Sequence, residues 1–349
     1  MRVWRNHVAT AVACVLTVMT LAVPARAGTD VARPAGARGP ALSADSDDLA
    51  RSLECGANLA DSTEKPVLLV PGTTLNPTAE YAWNYQRAFE RQHRPYCTVR
   101  LPGNAMGDIQ VAAEYVVHSI RTMYRLSGRR VQILGHSQGG MVPRWALKFW
   151  PDTRERVDDV VALAGSNHGT VDANALCAPA VGCAPSIWQQ RTNSDFLRVL
   201  NSGGETYPGV SYTNVYTTLV DEVVQPNLTD SGSTPLHGGG GDITNVAVQD
   251  ICPTHVTDHL LVGTSDPVAY ALAMDALTRA GPARPETIDE SVCTRAFQPG
   301  VNPATFPLHM AKMTTTVTRT LALHPHVARE PELKPYAQDL GGDQQLVSE

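Results

Sequence analysis

Residues 131–140 read Val131-Gln132-Ile133-Leu134-Gly135-His136-Ser137-Gln138-Gly139-Gly140. A short apolar run ends at a glycine, a serine stands at the centre of G-x-S-x-G, and a helix-forming stretch continues to Phe149. A turn that passes so sharply from strand to helix forces its central residue into strained backbone geometry, and small residues two positions to either side let strand and helix pass closely. The Ser137 hydroxyl is therefore expected at the C-terminal edge of a sheet, with a helix N-terminus behind it. As a bare pentapeptide the pattern also recurs as a glycine-rich turn. The strand before it and the helix after it are what make Ser137 a candidate nucleophile.

Working outward, Val67–Val70 is an apolar run stopped by Pro71-Gly72, and 98–101 is another stopped by Pro102-Gly103. Residues 109–125 place Ile109, Ala112, Ala113, Val116, Val117, Ile120, Met123 and Tyr124 on one face at helical spacing. Further strands are expected at 157–164, 212–216 and 243–248. Short apolar runs separated by helical stretches predict a parallel sheet with crossover helices. No internal repeat and no division into two cores is visible, so one α/β domain is expected over 51–340. Residues 28–50, rich in Ala, Gly, Pro, Asp and Ser, are expected to form a flexible leader, and the polar tail 341–349 to be loose.

The chain has 349 residues, 43% hydrophobic and 18% charged, enough to bury a sizeable core and too apolar for a disordered chain. Its first 27 residues are a basic start, an apolar run from Val8 to Val23, Pro24 and then Ala25-Arg26-Ala27, the small-x-small pattern of a signal peptide cut near Ala27. Losing Arg2, Arg5 and Arg26 takes the formal net charge from −6 to −9, which argues against nucleic acid as a partner. No second long apolar run occurs, so the mature chain is expected to be secreted and without a transmembrane segment; a monomer is expected. Without Cys14 the cysteines number six: Cys55, Cys97, Cys177, Cys183, Cys252 and Cys293, an even count suited to an oxidising compartment. Fifteen pairings are open, with neighbour pairing the simplest. Neither C-x-x-C nor H-E-x-x-H occurs, so no metal and no cofactor are expected.

A serine nucleophile needs a base, and the base an orienting acid. Where such a serine sits on a strand-turn-helix of the α/β-hydrolase kind, the acid and then the histidine follow it in the chain, each on a loop after a strand. Asp221 follows the strand at 212–216, and His259 follows the one at 243–248. Spacing also permits His255 as base and Glu222 or Asp242 as acid, with His259 favoured over His255. His136, beside the nucleophile, is expected to line the mouth of the pocket, and His168 to face the site or bond to backbone. His237-Gly238-Gly239-Gly240 resembles an oxyanion motif but follows the serine instead of preceding it, and is expected to be a flexible loop. The oxyanion donors are expected from the Gln138 backbone N–H and from Thr73, which stands just after the run Val67–Val70.

Several longer strings carry a resemblance. They are Lys65-Pro66-Val67-Leu68-Leu69-Val70-Pro71-Gly72-Thr73, Ser137-Gln138-Gly139-Gly140, Pro185-Ser186-Ile187-Trp188-Gln189-Gln190, Asp221-Glu222-Val223-Val224-Gln225-Pro226, Asp258-His259 and 330–337. Together they resemble the Candida antarctica lipase B-like secreted lipases of the α/β-hydrolase superfamily over about residues 50 to 340. The resemblance implies Ser137, Asp221 and His259 as catalytic triad, Thr73 and Gln138 as oxyanion hole, Gln190, Val223 and Val224 as substrate-binding positions, and bridges Cys55–Cys97 and Cys252–Cys293. It also places a short lid-like segment around 171–186. Three departures stand out: Gly135-His136 replaces a threonine and tryptophan, Cys177 and Cys183 have no counterpart while a C-terminal bridge is missing, and one extra residue precedes Asp221.

The expected function is thus a secreted serine ester hydrolase of lipase type, cleaving triacylglycerol or other lipid esters, at an oil-water interface where one is offered, through an acyl-enzyme. An acyltransferase or polyester hydrolase would use the same triad. A non-catalytic binding protein on this fold would be expected to have lost one of the three residues.

Overall fold

The computed structural model describes residues 37–342 apart from 57, 58, 179 and 219. The expected signal peptide and the tail beyond 342 lie outside the described residues. Seven strands, β1 Leu53–Cys55, β2 Val67–Val70, β3 Tyr96–Val99, β4 Val131–His136, β5 Val157–Leu163, β6 Ser211–Tyr216 and β7 Asp242–Ala247, form one sheet in the order β1-β3-β2-β4-β5-β6-β7. All neighbours are parallel except β1 with β3. The described residues belong to one compact unit.

Strands that are buried on both faces are rich in apolar residues, and β2, β3 and β4 are buried throughout, with Thr98, Gln132 and His136 as their buried polar members. Along β2 the side chains alternate between two cores. Leu68 and Val70 pack with the helices Ile109–Ser127 and Gln138–Phe149, through Val116, Val117, Ile120, Met141 and Trp145. Val67 and Leu69 pack on the other side with Tyr85, Phe89 and the helix Pro267–Thr278, through Val268, Leu272 and Ala276. Helices thus cover both faces, as the alternating pattern predicts.

Three differences from the sequence expectation have physical causes. β1 is only three residues long, too short for any periodicity to register, and exists because it pairs with β3 and carries Cys55 directly opposite Cys97. β3 begins two residues earlier than expected because pairing with β2 starts at Tyr96 opposite Val67. The leader is not loose from Ala37 onward. The Ala37 carbonyl accepts from Asp152 N–H, Pro40 O from Trp150 Nε1, and Ser43 and Ala44 donate to the buried Glu114 carboxylate. Residues 46–52 then form a helix capped by Asp45. At the other end, Pro335–Gly342 is a helix whose Tyr336 packs on Phe149 and Trp150.

All three disulfides are formed: Cys55–Cys97, Cys177–Cys183 and Cys252–Cys293. Among the described residues no helix is long and apolar enough to cross a membrane.

Candidate active site

Ser137 sits between β4 and the helix Gln138–Phe149 with φ 55° and ψ −126°, a conformation a non-glycine residue rarely adopts. The chain's glycines explain how it is tolerated. A Cβ at Gly135 would come within 2.0 Å of the Gly139 carbonyl oxygen, and one at Gly139 within 2.1 Å of the Val70 carbonyl oxygen. Strand and helix cross too closely for side chains there. Ser137 N–H donates to Leu163 O at 2.9 Å, which ties the elbow to β5.

On the loop after β2, Thr73 faces two amides. Gln138 Nε2 donates to Thr73 Oγ1 at 3.1 Å and Gln190 Nε2 does so at 3.0 Å. With both approaches to Oγ1 taken by donors, the Thr73 O–H proton is left to donate elsewhere. Gln138 is the first residue of its helix, so its backbone N–H has no carbonyl one turn below it. Gln190 is buried, and its side-chain Oε1 accepts from Ser166 Oγ at 2.9 Å. It therefore braces the Thr73 loop.

Asp221 follows β6 and is buried. Its Oδ1 accepts from Val223 N–H at 3.1 Å and Val224 N–H at 2.7 Å, and Asn227 Nδ2 donates to Oδ2 at 3.3 Å. Burial alone would raise this carboxyl, but His259 and the Val224 and Val223 N–H groups together hold it below the ordinary carboxylate value. His259 Nδ1 lies 3.0 Å from Asp221 Oδ1, a close approach in which the N–H is not aligned on the oxygen. Val224 is buried and Val223 is 39% exposed.

The other residues that spacing permits are placed as follows. His255 Nε2 is held by Asp266 Oδ2 at 2.5 Å. Asp242 opens β7 at the N-terminal edge of a parallel strand, opposite to the edge that carries Ser137. Glu222 accepts from the backbone N–H of His259 at 3.0 Å, not from its ring. His168 bonds to Ser233 O and Glu205. The loop at His237 is tied down, with Gly238 O accepting from Thr206 Oγ1 at 2.9 Å and Gly241 N–H donating to the same hydroxyl at 3.1 Å.

One expectation is overturned. His136 does not line the pocket mouth: it is buried, with its ring turned to Glu80, because a buried imidazole needs partners for both nitrogens, and Glu80 and the His259 carbonyl supply them. Glu80 gave no signal in the sequence, since it stands alone on a four-residue helix, Pro77–Glu80, far from any motif.

A parallel sheet covered on both faces, with a strained serine at the turn after a central strand and an acid–histidine pair on later loops at the same edge, defines an α/β-hydrolase. The family described as Lipase (class 2) matches residues 64–245. The chain is 33% identical over 334 residues to Lipase B of Pseudozyma antarctica, covering 94% of each. It superposes on the crystal structure of Aspergillus fumigatus lipase B with a TM-score of 0.78 and 31% identity, over 86% of this chain and 74% of that one. The propeptide form of Bacillus licheniformis lipase BlEst2, at 17% identity and TM-score 0.52 over 66% of this chain and 54% of that one, shares the fold. The chain belongs to the class 2 lipase family and is a carboxylic ester hydrolase acting on lipid esters.

Proposed function

We propose that Ser137 attacks the ester carbonyl, that His259 takes its proton and returns it to the leaving alcohol, and that Asp221 orients and compensates the imidazolium. The acyl-enzyme on Ser137 is then hydrolysed by water activated through the same histidine. Thr73 and the Gln138 N–H stabilise the oxyanion, a task in which each donor contributes ~3 kcal/mol or more. The observation that carries this reading is the strained Ser137 at the turn after β4, together with a buried His259–Asp221 pair 3.0 Å apart on the loops after β6 and β7.

Several exposed apolar side chains stand on the segments that follow the C-terminal edge of the sheet: Val171, Leu176 and Val181 after β5, Val220, Val223 and Leu228 after β6, and Val256 after β7. They support an enzyme that works against lipid, triacylglycerol or another long-chain ester, at an oil-water interface. The three disulfides and the N-terminal pattern support secretion with cleavage near Ala27, and we infer a monomer.

Labelling with a fluorophosphonate, followed by a p-nitrophenyl ester chain-length series run beside emulsified triglyceride, tests the proposal. Label on Ser137 alone, abolished in Ser137→Ala together with turnover, is expected. Label on another serine, or hydrolysis surviving Ser137→Ala, overturns it.

A further inference from the structure

Directly beneath the triad lies a second acid–histidine pair that the reaction as described does not use. Glu80 is fully buried and His136 is 1% exposed. Glu80 Oε1 lies 2.5 Å from His136 Nδ1, and Oε2 accepts from the Gly72 backbone N–H at 3.0 Å. The other ring nitrogen, His136 Nε2, lies 2.9 Å from the carbonyl oxygen of His259. A carbonyl oxygen has only lone pairs, so Nε2 carries a proton. Oε2 is occupied as an acceptor, and one further proton lies between Oε1 and Nδ1. The pair therefore holds two protons and no net charge, the arrangement that burial of a carboxylate requires.

Two glycines shape the cavity around this ring. A Cβ at Gly263, in the helix His259–Thr264, would come within 2.3 Å of the His136 ring carbons. A Cβ at Gly72 would come within 3.1 Å of Ser137 Cβ and 3.4 Å of His136 Nδ1. The helix that begins at His259 can lie flat on the His136 ring because position 263 has no side chain. The rings of His136 and His259 consequently sit 4.8 Å apart, centre to centre.

We propose that Glu80 and His136 are positioning residues for the reaction, fixing the oxyanion loop through Gly72 and the base through the His259 carbonyl, on either side of Ser137. This rests on the triad proposed above. Gly72 adjoins Thr73, and His136 adjoins Ser137, so one continuous hydrogen-bonded path joins the three parts that must be in register when the ester is attacked. Burial acts to lower the His136 pKa, while the Glu80 carboxylate and the His259 carbonyl raise it, with the net direction upward, as a ring that donates from both nitrogens requires.

The test compares Glu80→Ala, Glu80→Gln and His136→Phe on p-nitrophenyl butyrate, with rates expressed per fluorophosphonate-titrated site and with thermal unfolding measured in parallel. Misplacement of the base and the oxyanion loop is expected to lower kcat about 100-fold in Glu80→Ala and His136→Phe, with KM changed less than about threefold. Glu80→Gln is expected to recover at least about tenfold of that loss, because its amide carbonyl still accepts from Gly72 and its NH2 donates to Nδ1, leaving Nε2–H on the His259 carbonyl. Nitrogen-15 spectra of the parent should contain an exchange-protected His136 Nε2–H.

Parental kcat per site in Glu80→Ala and His136→Phe, with only the melting temperature lowered, overturns the proposal. So does a Gln variant as impaired as the Ala variant. If Glu80→Ala does not fold, the Gln variant and the ring-proton signal decide, and an unprotonated Nε2 overturns the proposal. A parent that does not label at Ser137 overturns the triad instead, a result separable from the ring-proton measurement.

Discussion

At the scale of single residues, the site separates two histidines that lie four positions apart. His255 is engaged with Asp266, which raises its pKa through that hydrogen bond against the opposing effect of burial, whereas His259 faces Asp221. His259→Ala is expected to lower turnover on a soluble ester by at least about 10⁴-fold, comparable with Ser137→Ala, because nucleophile and base act as a unit. His255→Ala should leave turnover within about tenfold of the parent, since its partner Asp266 can still cap the helix Pro267–Thr278 through Val268 and Ala269 N–H. Steady-state kinetics of the two variants check this. Loss of activity in His255→Ala with full activity in His259→Ala would reassign the base.

At the scale of elements, the lid-like segment is held from two sides. Cys177–Cys183 closes it at its tip, and Cys183 also pairs with Val327, whose carbonyl accepts from Cys183 N–H at 3.0 Å and from Trp188 Nε1 at 2.9 Å. A bridge across a sequence separation of 6 removes little chain entropy, ~2 kcal/mol against ~4 kcal/mol for the separation of 42 between Cys55 and Cys97. The main effect of the small bridge is therefore local, on the range of conformations open to the helix Val171–Leu176 and the turn after it. The parent is expected to show little gain in activity as substrate passes its solubility limit, and Cys177→Ser/Cys183→Ser a larger gain with global stability lowered by about 2 kcal/mol or less. A sharp jump in the parent, equal in the variant, would refute a pinned lid.

At the scale of the whole molecule, stability carries a pH dependence from the end of the sheet opposite the site. Asp159 in β5 is buried against Gln132 and beside Asp158. Desolvation, with the neighbouring Asp158 adding to it, raises its pKa to about 8. The folded carboxyl keeps its proton until about pH 8, while the unfolded one releases it near pH 4. Folding therefore binds a proton across that window, and the parent loses stability as pH rises through it. Asp159→Asn has no carboxyl to ionise and can still accept from Gln132. Its melting temperature relative to the parent should rise from pH 5 to pH 8 and level off above. A difference that stays constant with pH refutes the assignment.

Much of this molecule is legible before any fold is known. The runs that became β2, β4 and β5 announce themselves because a strand buried on both faces is mostly apolar, even where β4 and β5 also bury Gln132, His136 and Asp159. Ser137 announces itself because only glycines let strand and helix cross around it. These are constraints between near neighbours in the chain. Tertiary structure alone decided what depends on distant partners. The short β1 strand has no periodicity of its own and owes its place to β3. The leader from Ala37 is polar, yet it is ordered because Glu114, Trp150 and Asp152 offer it hydrogen bonds. His136 looks like a pocket residue from its neighbour Ser137, but a buried imidazole goes where both its nitrogens find partners, and those are Glu80, 56 residues earlier, and His259, 123 residues later.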